Sequence, residues 1–132
     1  MSITNDQANT ILERYIGTND VNASLYLGLS TTTPTASGTN ITEPTTGSYA
    51  REEVPYTSWG TANTTGFITN TTQIEMVEAT ADWGTVTYVF LANHSSSTGS
   101  AIKFYGVLST SRLIDSGTTV TFPASGLTIS MT

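Results

Sequence analysis

The chain is dominated by short stretches in which apolar or β-branched residues alternate with polar ones, with turn-forming residues about every 8–12 positions. Alternation with a period of two places successive side chains on opposite faces, which is typical of β-strands. The predicted strands are residues 25–29, 49–56, 67–69, 72–77, 84–92, 101–108, 118–122 and 127–131. Because no helix separates these strands, a parallel α/β sheet is excluded. The pattern predicts a mainly β fold, an antiparallel β-sandwich of jelly-roll type.

Two stretches stand out within this pattern. Residues Gly84 to Ala92 are dense in β-branched and aromatic side chains and predict a central strand, whereas Leu25, Leu27 and Leu29 alternate with Tyr26, Gly28 and Ser30 and predict a half-buried one. Residues 31–47 are rich in Thr, Pro, Ser and Gly and predict a long loop that buries almost nothing. We therefore expect shortening of Thr33 to Gly47 to leave the fold intact.

A single helix is predicted at the start, within residues 1–17. Its apolar stripe has helical spacing, Thr4 and Gln7 resemble a capping box, and Gly17 is a natural stop. The stripe consists of Ala8, Ile11, Leu12, Tyr15 and Ile16. A helix of three turns is marginal alone, so the stripe packs either on its own domain or on a neighbouring subunit. Ile11, Leu12 and Tyr15 are therefore candidate subunit or partner contacts.

Composition limits the classes of function. A length of 132 residues predicts one domain spanning 1–132. About a third of the residues are Ser or Thr, only 11% are charged, and there is no Cys, so disulfides and thiolate chemistry are excluded. The net charge of −6 argues against nucleic acid and anionic membranes as partners. The first residues lack the pattern of a signal peptide, so we expect the protein to be made in a cytosol or assembled into a particle there.

Catalytic and metal-binding arrangements are weak throughout. His94 is the only histidine, lies in a Ser-rich hairpin loop at 93–99, and has no nucleophile elbow beside it. Glu52 and Glu53 are adjacent, so a strand would point them to opposite faces and not into one cleft; we interpret Arg51 beside them as a balance of surface charge. No calcium-loop spacing or phosphate loop occurs. The sequence predicts a protein that is not an enzyme, with no cofactor and no metal.

Aromatic residues are the remaining candidates for contacts. Trp83, Tyr88 and Phe104 lie in or beside strong strands and are expected in the core. Trp59 follows Ser58 and precedes Gly60 in a predicted turn region, and we expect it to be exposed and available to a partner.

Several stretches resemble a family of small tailed-bacteriophage virion proteins, often labelled tail fibre protein. They are LYLGLS at 25–30, GSYAREEV at 47–54, ATADWGTVT at 79–87, and GVLSTSR at 106–112 followed by DSG at 115–117. The likeness runs from the opening helix to the C-terminus, and 79–87 is its most specific part. The chain departs from the family pattern at Val89 to Ser97, where members tend to have an aspartate-containing turn and glycines.

The resemblance implies a non-enzymatic structural component of a phage virion, assembled in the host bacterial cytoplasm. Its leading implication is a capsid decoration (cement) protein that stabilises the head shell, as a homo-oligomer with a trimer favoured, bound to the major capsid protein. The alternative is a tail-fibre or tail-tip module that contacts host-surface carbohydrate and other tail proteins. Strand edges and an apolar helix shared between copies would suit either role.

Overall fold

The computed structural model describes residues 5–16, 24–62 and 66–130. Within them lie one α-helix, two short 3-10 helices at Tyr56–Ser58 and Gly99–Ala101, and eight strands. The elements are α1 (Asn5–Ile16), β1 (Leu25–Ser30), β2 (Glu52–Val54), β3 (Phe67–Thr69), β4 (Ile74–Glu75), β5 (Gly84–Ala92), β6 (Ile102–Ile114), β7 (Thr121–Phe122) and β8 (Thr128–Ser130). The prediction of a mainly β, antiparallel fold with one short N-terminal helix is confirmed. Thr4, Gly17 and Met131 lie outside the described residues.

The largest sheet has four strands in the order β2-β1-β5-β6. β1 and β5 pair antiparallel from Tyr26↔Ala92 to Ser30↔Tyr88, and β5 pairs antiparallel with β6 along most of its length. The β5–β6 ladder is irregular between Val86 and Tyr88, where their partners are Arg112 and Val107. β6 therefore carries extra residues at 108–111 that bulge from the ladder, which is a common way to bend a strand.

β1 is buried on both faces, so the prediction of a half-buried strand is wrong. Leu25, Leu27 and Leu29 are buried as expected, but Gly28 and Ser30 on the other face are buried too. A Cβ added at Gly28 would collide with the Phe90 ring, so the absence of a side chain lets the ring lie directly on the strand. The small residues Gly28 and Ser30 therefore mark a face that packs closely against the protein, and not a face exposed to solvent.

Several observed strands end at other residues than predicted. β3 and β5 have the predicted bounds, whereas β2 ends at Val54 because Pro55 has no N–H for a ladder and starts a 3-10 helix. β6 extends to Ile114, well past the predicted end at Leu108, because an edge strand does not need an apolar pattern to continue. β3 pairs with β8, and β4 with β7, in two small sheets.

Contacts divide the chain into two compact units. The first comprises residues 1–24, 54–74 and 122–132, and the second comprises residues 25–53 and 75–121. In the first unit α1 contacts β3, and the core includes Leu12, Ile16, Ile68 and Ile129. In the second unit the core is built on the four-stranded sheet and includes Leu27, Val86, Phe90 and Leu91. Whether both form one domain, as the length predicts, stays a prediction.

The loop at 31–47 is ordered by hydrogen bonds between its own backbone groups. Thr31 N–H donates to the Thr42 carbonyl at 3.0 Å, and Thr35 N–H donates to the Thr39 carbonyl at 3.0 Å. Pro34 and Pro44 are buried. The expectation that this loop buries almost nothing is therefore wrong. No helix in the described part of the chain is long and apolar enough to cross a membrane.

Candidate functional site

The charged centre of the second unit is a buried ion pair between Arg51 and Glu43. Arg51 Nε donates to Glu43 Oε1 at 3.0 Å and Nη2 donates to Glu43 Oε2 at 2.8 Å, a two-pronged geometry that matches guanidinium to carboxylate. The Arg51 side chain is only 1% exposed, and that of Glu43 is 21% exposed. The interpretation of Arg51 as a surface charge is therefore wrong.

Arg51 also holds the hairpin loop between β5 and β6. Its Nη1 donates to the carbonyl oxygens of His94 at 2.8 Å and Ser97 at 2.9 Å, and its guanidinium lies 4.8 Å from the centre of the Phe90 ring. One side chain thus joins the loop at 31–47, the hairpin loop and Phe90 of β5. A buried arginine with this many acceptors is fixed in place and acts as a brace.

Tyr49 extends the cluster to β1. Its hydroxyl donates to Glu43 Oε1 at 2.8 Å and accepts the Leu29 N–H at 2.9 Å, so it satisfies a backbone donor of the buried strand. Burial, with a smaller contribution from the negative charge of Glu43, raises the pKa of Tyr49 well above its ordinary value. The hydroxyl therefore keeps its proton and serves as a donor.

The Tyr49 ring anchors a second contact. It packs edge-on against Trp83, with ring centres 5.1 Å apart and planes at 88°, and Trp83 Nε1 donates to the Gly47 carbonyl at 3.0 Å. Burial of Trp83 confirms its predicted place in the core, whereas Tyr88 and Phe104 are only half-buried. The cluster of Glu43, Tyr49, Arg51, Trp83 and Phe90 is called the arginine brace below.

A shallow, open pocket of about 430 Å³ lies beside the arginine brace. Its lining includes Glu43, Thr45, Tyr49, Ala50, Ser95 and Ser96. The residues that line the pocket thus include hydroxyl-bearing side chains, a partly exposed carboxylate and a tyrosine. Such a surface offers hydrogen bonds and an apolar contact to a polar ligand.

His94, the single histidine, organises its own loop. Its side chain is exposed, and its Nδ1 accepts the backbone N–H groups of Ser96 and Ser97, each at 3.1 Å. By accepting these two N–H groups, His94 Nδ1 helps to hold Ser97 where its carbonyl can accept from Arg51.

The adjacent carboxylates lie elsewhere, on β2. Glu52 is half-buried and Glu53 is exposed. Burial, followed by the negative charges of Glu53 and Glu75, raises the pKa of Glu52. Among residues 5–16, 24–62 and 66–130, no group of three His, Cys, Asp or Glu side chains is arranged to hold a metal ion.

The four contact residues predicted from the sequence all belong to the first unit. Ile11 is 38% exposed and Tyr15 is half-buried, whereas Leu12 is 1% exposed and packs inside the unit. The expectation that Trp59 is exposed is wrong, since only 6% of it is accessible. Trp59 also forms a β-bridge with Asn70. None of these four residues belongs to the arginine brace.

Sequence reasoning missed the arginine brace, although one signal was present. Glu43 is the only charged residue between Asp20 and Arg51, in a chain with few charges, and it directly precedes Pro44. A lone acid in a long uncharged stretch indicates a specific partner, because burying an unpaired carboxylate is costly.

Comparison with known proteins gives one family. The family model described as podophage GP4 fiber I protein gp80 matches residues 2–130. A search of curated proteins finds no match. Since the match covers nearly all of the 132 residues, the chain belongs to the podophage GP4 fiber I protein gp80 family and is a structural component of a phage virion, assembled in the host.

Proposed function

We propose that the chain is a non-enzymatic structural module of a phage tail fibre. The observation that carries this proposal is the match to a fiber protein family over residues 2–130. It favours the tail-fibre alternative over the capsid decoration role that was the leading implication of the sequence. A fibre module transmits force between other virion proteins. It therefore needs a rigid fold held by internal contacts, and it does not need reactive groups.

The arginine brace supports a rigid, non-enzymatic role. Arg51 directs four hydrogen bonds to protein acceptors, two of them on Glu43, and the Tyr49 hydroxyl donates to Glu43 as well. Catalytic acids and bases need a proton-accepting atom aimed at a reacting group. Here the charged groups of Arg51 and Glu43 bond to each other, and Arg51 also bonds to the hairpin loop, so both groups connect loops to the sheet.

We also propose that the protein works as a homo-oligomer, with a trimer favoured. The second unit leaves large apolar side chains on its surface: Tyr105 is 46% exposed, Val107 69% and Leu113 63%. Exposed apolar groups of this size on one strand are typical of a surface that contacts another protein. Burial between copies would add stability that grows with protein concentration.

A second proposed role is contact with host-surface carbohydrate at the pocket beside the arginine brace. Thr45, Ser95 and Ser96, whose side chains carry hydroxyls, line it together with Glu43 and Tyr49. Sugars are recognised by such mixtures of hydrogen-bonding groups and an aromatic side chain. The brace would hold the two loops that line the pocket in fixed positions.

Copy number in purified virions tests the fibre proposal. We expect quantitative mass spectrometry to find a few to a few dozen copies per particle, and immunogold labelling to lie on the tail, because fibres occur in small symmetric sets. Hundreds of copies spread over the head would instead support the capsid decoration role. Absence from the particle would contradict both.

Filling the pocket tests the carbohydrate proposal. Ala50 is exposed and lines the pocket, so Ala50→Trp should block it without removing any bond of the arginine brace. We expect binding to host cells or purified surface polysaccharide to fall at least tenfold, with an unchanged melting temperature. Ala124→Trp, in an exposed turn, is the matched control. Equal binding by the two variants would contradict the proposal.

A further inference from the structure

The four-stranded sheet ends in two unlike edges, β2 on one side and β6 on the other. In the part of the chain that the structure describes, β6 is paired with β5 alone. Its segment Lys103–Val107 includes a regular stretch of ladder, from Phe104↔Leu91 to Val107↔Tyr88. With 13 residues, β6 is longer than most strands. Between the irregularity at Lys103 and the bulge at 108–111, this stretch presents its backbone donors and acceptors to any strand that approaches.

The side chains of this segment also favour an approaching partner. Exposed and half-buried residues alternate along it, and the exposed set includes Tyr105 at 46% and Val107 at 69%. Natural edge strands are usually short, bulged or rich in charge, which prevents association. From Phe104 to Val107 the ladder is regular and uncharged, with irregular residues on either side at Lys103 and 108–111, and Lys103 provides the only charge nearby on the strand.

Charge separates the two edges of the sheet. β6 contains Lys103 and Arg112 and no acidic residue, although the chain has only 4 basic residues in all. β2 contains Glu52 and Glu53. Arg51, which precedes β2, does not offset them because its charge is paired with Glu43. One edge is thus positive and the other negative, on a protein whose net charge of −6 opposes association by other faces.

The environment of Glu52 supports the same conclusion. Its pKa is raised by partial burial and by the negative charges of Glu53 and Glu75, so the ionised form is held in an unfavourable setting. A positive group brought to this edge would stabilise the carboxylate. Lys103, whose ammonium donates to the Ser100 carbonyl at 2.8 Å, is exposed at the start of β6.

We propose that the segment Lys103–Val107 of β6 associates edge to edge with the acidic β2 edge, Glu52 and Glu53, of a second copy of the chain. This inference rests on the proposed homo-oligomer and names its interface. Because the two surfaces differ, the contact is head-to-tail, and such contacts close into a ring when the rotation permits. Pairing of β6 with β6 would leave the acidic edge without a counterpart.

Charge reversal tests the proposal directly. Sedimentation velocity should show association of the wild-type chain, and Lys103→Glu and Glu53→Lys should each raise the dissociation constant at least tenfold, because each places like charges together. The double variant that carries both changes should recover most of the affinity. Glu13→Lys, on α1, makes the same change in net charge as Glu53→Lys and should leave association unchanged.

An apolar variant separates this surface from the helix. Val107→Asp should abolish association while the circular dichroism spectrum and melting temperature stay those of the wild type, since Val107 is largely solvated. Ile11→Asp places the same charge on α1, where Ile11 is 38% exposed. Loss of association with Ile11→Asp but not with Val107→Asp would overturn the proposal in favour of the helix surface.

Hydrogen exchange locates the contact without mutation. Raising the protein concentration should slow exchange of amides in 103–107 and 52–54, and in few other places. A monomer at all concentrations, or no rescue by the double charge variant, would overturn the inference. Neither result would touch the fibre proposal, which depends on where the chain lies in the virion and how many copies are present.

Discussion

Replacing Arg51 by Met is expected to lower the free energy of unfolding by about 3–5 kcal/mol, because it leaves the largely buried Glu43 carboxylate without its partner. The variant also removes the donors that hold the carbonyls of His94 and Ser97. Urea unfolding followed by tryptophan fluorescence provides the measurement, since Trp83 belongs to the arginine brace. Arg112→Met, on the exposed part of β6, should change stability by no more than about 0.5 kcal/mol.

Two companion variants separate charge from geometry. Arg51→Lys keeps the charge but cannot form the two-pronged contact with Glu43 or reach both loop carbonyls, so it should still lose a large part of the stability. The double variant Arg51→Met with Glu43→Met removes both charges and should be more stable than Arg51→Met alone. If Arg51→Met lowered the free energy of unfolding by less than about 1 kcal/mol, the Arg51–Glu43 pair would behave as a solvent-exposed pair. That result would contradict the structural role given to the arginine brace.

The arginine brace also changes what we expect of the loop at 31–47. From the sequence, shortening Thr33 to Gly47 should leave the fold intact. In the structure that deletion removes Glu43 and the Gly47 carbonyl that accepts from Trp83, and so it leaves Arg51 unpaired. The loop is therefore an integral part of the second unit, although its composition is typical of a dispensable surface segment.

Local patterns predicted the elements that depend on local physics. The apolar stripe containing Leu12 and Ile16 predicted α1, and both residues are buried against their own unit. Dense β-branched and aromatic residues predicted β5 with its observed bounds. The turn at 115–117 also follows from its residues, since Gly117 adopts a φ of 87° that other residues avoid. In these cases the signal and the cause lie within a few residues of each other.

Long-range contacts account for the failures. Trp59 lies between Ser58 and Gly60 and was predicted to be exposed, but it is buried and forms a β-bridge with Asn70, eleven residues away. Arg51 lies within the predicted strand at 49–56 beside two glutamates, and its true partner, Glu43, lies eight residues earlier in the loop. The bulge at 108–111 and the late end of β6 depend on pairing with β5. No residue pattern within a short window contains this information.

Asn70 is the second residue whose loss should have a large effect. Its side chain is fully buried, donates from Nδ2 to the carbonyls of Thr72 at 2.8 Å and Pro123 at 2.9 Å, and accepts the Leu127 N–H at Oδ1 at 2.9 Å. Asn70→Ala removes one partner from each of these backbone groups at once. We expect a loss of about 3 kcal/mol or more in the free energy of unfolding, measured by urea titration. Asn93→Ala, in the exposed hairpin loop, is the matched control and should be nearly neutral.

Asn70→Asp tests whether the donors or the shape of Asn70 matter. An ionised aspartate can still accept from Leu127, but it cannot donate, and it would face the carbonyl oxygens of Thr72 and Pro123. Burial and those oxygens would raise the pKa of the new carboxyl in the folded state above its unfolded value of about 4. The destabilisation should therefore be greatest at neutral pH and should shrink as the pH falls toward 4, because the protonated carboxyl regains one donor. If Asn70→Asp had the same free energy of unfolding as Asn93→Ala at neutral pH, the turn at 123–127 would be held by its own backbone and not by Asn70.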